Sequence, residues 1–144
     1  MEMDPASVTW SIRLDASPDR VYRFLSTDEG RERFWVESSC ERDGEITFEF
    51  PSGLTDKAEV LAADPPEQYV VEYFGAPAAF RLREHGDGGT ILTLTHEGLD
   101  ESERREMRAG WVSVLLALKA AVDFSVDLRN HDPACTWEDG FVDN

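Results

Sequence analysis

From Val8 to Asp15 apolar and polar residues alternate, with Val8, Trp10, Ile12 and Leu14 on one face and Thr9, Ser11 and Arg13 on the other. Period two of this kind predicts a half-buried β-strand. Ser17-Pro18 then predicts a helix start. Serine is a good N-cap, and proline at the first helical position gives up an N–H that would have no partner. Val21, Tyr22, Phe24 and Leu25 supply the apolar stripe. A second short helix is predicted from Thr27 or Asp28 to about Phe34-Trp35. Period two returns at Ile46/Phe48/Phe50, Ala58/Val60/Ala62, Tyr69/Val71/Tyr73, Phe80/Leu82/Glu84 and Leu92/Leu94/His96. Asp64-Pro65-Pro66 and Gly86-Asp87-Gly88-Gly89 punctuate these runs as turns. The pattern is an antiparallel meander, and the Val8–Asp15 strand must join it, giving a sheet of about six strands.

The last pattern is the longest. Asp100 followed by Glu103 reads as a variant capping box. Met107, Trp111, Val114, Leu115, Leu118 and Val122 then recur at helical spacing along a helix of about twenty-four residues. At ~1.5 Å per residue that helix is roughly 35 Å long and spans a whole sheet. Gly110 in its middle costs about 1 kcal/mol relative to alanine, a cost that makes sense where another element approaches. The fold class is α+β, one long amphipathic helix laid on a one-sided antiparallel sheet. A twisted sheet of this size curls, and a helix against its concave face leaves a gap of the kind that holds small molecules.

Length and charge narrow the function. The 144 residues are 41% hydrophobic, enough for one domain with a core of its own. The formal charge of −16 disfavours nucleic acid, whose phosphates must be met by Lys and Arg, and anionic membranes for the same reason. No apolar run reaches the ~20 residues of a membrane span. The opening MEMDPASVTW has neither the basic nor the apolar stretch of a secretory leader. Twelve Arg stand against only Lys57 and Lys119. Surplus carboxylate with scarce lysine is expected of a protein working in concentrated salt, the alternative being a merely acidic protein of ordinary surroundings. Cys40 and Cys135, without CxxC spacing, read as reduced thiols, so the expected location is the cytoplasm.

Several stretches resemble one superfamily. They are Ala16-Ser-Pro-Asp-Arg-Val-Tyr-Arg-Phe-Leu25, Glu29-Gly30 with Phe34-Trp35, Ala63-Asp-Pro-Pro66, Gly89-Thr-Ile-Leu-Thr-Leu-Thr-His-Glu-Gly-Leu99 and Gly110-Trp111. The tail, Asp127 to Pro133 and Trp137 to Asp143, is similar to a closing segment found in a subset of its members. The chain resembles the START-like, SRPBCC or helix-grip proteins, and most closely the bacterial activator of heat-shock protein 90 ATPase type. That resemblance implies a curved sheet wrapped on the C-terminal helix around a deep apolar cavity. Its walls here would be Trp35, Ile46, Phe48, Phe50, Tyr73, Phe80, Leu92, Leu94, Trp111, Leu115 and Leu118. Fold likeness alone does not select among the carriers, enzymes and chaperone adaptors that share such a fold.

Candidate chemistry is sparse. His85, His96 and His131 are scattered, no HExxH, CxxC or GxSxG motif occurs, and no catalytic residue, metal ligand or cofactor is assigned. His96 falls by alternation on the cavity-facing side with Leu92 and Leu94. There it either meets a ligand or, on the plainer reading, bonds to backbone or caps the last helix. Glu84 shares a face with Phe80 and Leu82, marking where its strand leaves the core. Residues 1–6 are expected to be disordered. The 127–144 tail is expected to pack on the domain through Trp137 and Phe141. The function expected is binding of a hydrophobic small molecule in a cavity of at least about 300 Å³. A protein partner is the second expectation, and a cavity enzyme of cyclase or hydrolase type the third.

Overall fold

Ser17 adopts extended backbone and its hydroxyl accepts from the Arg20 N–H, with Pro18 next, so the helix begins where the sequence placed it. The structure, a computed structural model, describes residues 7–144; the stretch 1–6 expected to be disordered lies outside the described residues. The order is β1 (Val8–Leu14), α1 (Pro18–Ser26), α2 (Asp28–Glu32), β2 (Ser38–Arg42), β3 (Glu45–Glu49) and β4 (Thr55–Asp64). It continues with β5 (Gln68–Tyr73), β6 (Ala76–His85), β7 (Gly89–His96) and α3 (Glu101–Phe124). The strands form one curved antiparallel sheet in the order β1-β7-β6-β5-β4-β3-β2. Between β4 and β5 the register slips at Leu61, an extra residue that bends the strand.

The sheet has seven strands rather than six. The one unread in the sequence is β2, of whose five residues only Ser39 is buried, so it shows no apolar alternation. A short-range signal was nonetheless there. Asp43 and Gly44 join β2 to β3 with φ of 52° and 80°, and Asp-Gly is a favoured pair for a two-residue hairpin turn.

Helix α3 is fixed along the β1 edge. Trp10 Nε1 donates to the Arg108 carbonyl at 3.0 Å, Lys119 Nζ to the Arg13 carbonyl at 2.6 Å, and the Asp123 carboxylate accepts the Asp15 and Ala16 amides at 2.9 Å. Its start carries the predicted capping box between Asp100 and Glu103. The α1–α2 corner is tighter. A Cβ on Gly30 would lie 2.5 Å from the Phe24 Cα and 2.6 Å from the Phe24 carbonyl oxygen, so only glycine fits. Beside it Arg31 is wholly buried. Its guanidinium donates to Ser39 Oγ, the Leu25 carbonyl, the Tyr69 hydroxyl, Asp28 and Glu41, one acceptor for each of its five N–H groups. The Trp35 amide in turn donates to the Arg31 carbonyl at 2.8 Å, so this buried charge fixes where Trp35 stands.

The tail returns over α2 and α3. Arg129 donates to the carbonyls of Val36 and Glu32 and to the Asp127 carboxylate, while His131 bonds Glu37 and Asp127. Trp137 Nε1 donates to Glu106 Oε1 at 2.7 Å. Phe141, the other ring expected to dock on the domain, is 41% exposed.

Candidate functional site

The concave face of the sheet is crowded with rings. Trp35 lies within 6 Å, centroid to centroid, of Phe34, Phe48, Tyr73, Phe80 and Trp111. Ile46, Phe48, Phe80, Leu92, Leu94 and Leu118 are fully buried, and Leu115 nearly so. The space beneath α3 is therefore filled along most of its length. It opens where the β3–β4 and β5–β6 connections meet the first half of the helix. There a cleft of about 270 Å³ is lined by Trp35, Phe50, Tyr73, Phe74, Met107, Gly110, Trp111, Val114 and Trp137, with Pro51, Ser52, Leu54, Glu106, Ser113, Glu138 and Asn144 around it. Exposed Ser52, Leu54 and Glu106 mark its mouth. The volume falls just under the roughly 300 Å³ expected of a small-molecule pocket, because the aromatic rings project into the space that smaller side chains would leave.

His96 is engaged on both nitrogens. The Trp111 indole N–H can only donate, and it points at His96 Nδ1 at 3.0 Å, so that nitrogen carries no proton. The proton is on Nε2, facing the carbonyls of Tyr73 at 2.9 Å and Ala76 at 3.2 Å. Burial lowers the pKa of the imidazole, and it is held neutral. His96 thus positions Trp111 and the Tyr73–Ala76 turn, the plainer of its two readings. Tyr73 itself is buried deeply enough that its hydroxyl pKa is driven far up, so the group is a neutral phenol that accepts from Trp35 Nε1 at 3.4 Å. Among the described residues no group of three or more His, Cys, Asp or Glu is arranged to hold a metal ion.

The family model for "Activator of Hsp90 ATPase homolog 1-like protein" matches residues 15–123. The chain belongs to that family. No curated protein matches it in sequence. Among solved structures, the SSP2350 protein of Staphylococcus saprophyticus is 21% identical with a TM-score of 0.74, covering 85% of this chain and 96% of that one. The Aha1 dimer of Colwellia psychrerythraea is 23% identical with a TM-score of 0.72, covering 82% and 96%. CalU16 of Micromonospora echinospora is 27% identical with a TM-score of 0.66, covering 79% and 72%. These likenesses place this member of the Hsp90-activator-like family in the helix-grip fold.

Within this family member the predicted walls divide. Trp35, Phe50, Tyr73 and Trp111 line the cleft, whereas Ile46, Phe48, Phe80, Leu92, Leu94, His96, Leu115 and Leu118 lie in the packing beneath and beside it. Glu84 is exposed at the end of β6. Unread from alternation were Phe74, Ser52, Leu54, Glu106, Glu138 and Asn144, which come from turns, the solvent side of α3 and the tail. Phe74 had a signal, since an aromatic before Gly75 at the strand end marks a turn, and both residues take positive φ. Trp137 had one too, as an indole in an otherwise polar tail. A second cleft of about 200 Å³ adjoins the first across Trp35, Ser113, Val114 and Asn144, and is bordered by Leu116, Leu128, Arg129 and Val142.

Proposed function

We propose that this protein binds a small hydrophobic molecule in the cleft between Trp35, Phe50, Tyr73 and Phe74 on one side and Met107, Trp111 and Val114 of α3 on the other. The observation that carries this reading is the cleft itself, about 270 Å³ and walled mainly by aromatic and aliphatic groups. An apolar cavity of about 150 Å³ admits one benzene ring, so this one suits about two fused rings. Burial of the ligand's apolar surface at roughly 25 cal/mol per Å² supplies the affinity, and the Tyr73 hydroxyl and Ser113 supply orientation. No helix is long and apolar enough to cross a membrane among the described residues, and free Cys40 and Cys135 suit a reducing cytoplasm.

The test is a thermal-shift screen with naphthalene-sized aromatics against the protein and its Trp111→Ala and Val114→Trp variants. Binding raises the wild-type melting temperature, and Val114→Trp, which fills the cleft, abolishes the shift. A shift that survives in Val114→Trp would place the ligand elsewhere.

A second reading, a surface for a protein partner, is supported by Leu116, Leu128 and Val142. All three are half or more exposed around the second cleft. Leu116→Asp would weaken such a partner without touching small-molecule binding.

A further inference from the structure

The cleft has an unusual division of chemistry. Six aromatic rings line it (Trp35, Phe50, Tyr73, Phe74, Trp111 and Trp137), and none of its lining residues is Lys, Arg or His. The only side chains there that carry charge at neutral pH are Glu106 and Glu138, both exposed at the mouth. Glu106 accepts the Trp137 indole N–H at 2.7 Å, so one carboxylate sits directly beside the ring that borders the opening. Aromatic faces carry negative quadrupole potential and attract cations, most strongly where water is excluded. Two carboxylates beside such faces add to the same field, and the protein's charge of −16 raises the local concentration of cations further. An anionic ligand meets the opposite on every count. It would be repelled at the mouth and find no counter-charge inside.

Resting on the small-molecule reading, we infer that the ligand class is a flat aromatic cation. Its ring system lies in the cleft against Phe50, Phe74, Met107 and Val114, over a floor made by the packed rings of Trp35, Tyr73 and Trp111. Its protonated amine or quaternary ammonium stays at the mouth against Trp137, Glu106 and Glu138. The carboxylate-bearing isostere of such a ligand is the molecule the cleft rejects.

The test uses three probes on one ring: (2-naphthylmethyl)trimethylammonium, 2-naphthylmethanol and 2-naphthylacetate, titrated calorimetrically into the full chain and into the Glu106→Gln/Glu138→Gln variant. Glutamine at 106 keeps an oxygen for the Trp137 N–H, and both positions are exposed, so the variant retains its fold, checked by its melting temperature. The ammonium probe binds at least tenfold more tightly than the alcohol, and the carboxylate most weakly. In the variant the ammonium loses most of that advantage while the alcohol is unchanged. An alcohol as tight as the ammonium, or a carboxylate tighter than either, overturns the cation assignment while the cleft reading stands. Failure of all three to bind overturns both.

Discussion

Arg31 shows what a single buried charge demands. Its five donors are each answered, and the Tyr69 hydroxyl it bonds is itself buried enough for its pKa to be pushed up to about 12. Lysine presents one compact ammonium where the fork of arginine reaches five acceptors. Arg31→Lys is expected to lower stability by about 3 kcal/mol, the scale of breaking a buried charge network, read as a shift in the urea midpoint. A midpoint that does not move would mean that the network carries no net stability. The histidines make a contrasting pair. Burial depresses His96, so its contribution to stability is complete above its unfolded value of 6.5 and is lost as pH falls. Hydrogen bonds to Glu37 and Asp127 raise His131, so its contribution is present below 6.5 and is lost as pH rises through its folded pKa. Imidazole NMR titrations should give midpoints on opposite sides of 6.5, and coincident midpoints would contradict the hydrogen-bond assignment.

At the level of elements, two helix glycines look alike in sequence and differ in kind. Gly30 is pressed against backbone atoms of α1, so Gly30→Ala forces the corner apart and should cost about 2 kcal/mol. At Gly110 an added Cβ meets only Trp137 Cζ2, at 4.0 Å, so Gly110→Ala should stabilise α3 by about 1 kcal/mol. Thermal melts of the two variants should move in opposite directions. Here lies the boundary of what the chain disclosed before folding. Elements with one buried face, β1, β3 to β7 and α3, were written in their periodicity, because burial on one side imposes alternation. Strand β2, exposed on nearly all its residues, carries no such imprint, and backbone pairing with β3 alone makes it a strand. The cleft was legible in its floor, the aromatic residues of the sheet and Trp111. Its mouth was less so, since Phe74, Glu106 and Trp137 meet there from segments far apart in sequence, and neither the turn at Gly75 nor a lone indole in the tail says that they meet.

Taken whole, the molecule carries sixteen more negative than positive charges, while several arginines are turned inward or lie over rings. The cations that remain at the surface are far outnumbered by carboxylates. Added salt shortens the screening length from about 10 Å at 0.1 M to about 3 Å at 1 M, which weakens that self-repulsion. The melting temperature should therefore rise between these concentrations of potassium chloride, and a flat or falling curve would argue for a merely acidic protein of ordinary surroundings. The placement of the tryptophans has a practical corollary. Trp35, Trp111 and Trp137 border the cleft, while Trp10 stands apart with the Arg108 guanidinium 4.4 Å from its ring centre. Three of the chain's four indoles thus stand around a single opening. Occupancy there can be followed optically in the unlabelled protein, with a Trp10→Phe variant removing the one spectator.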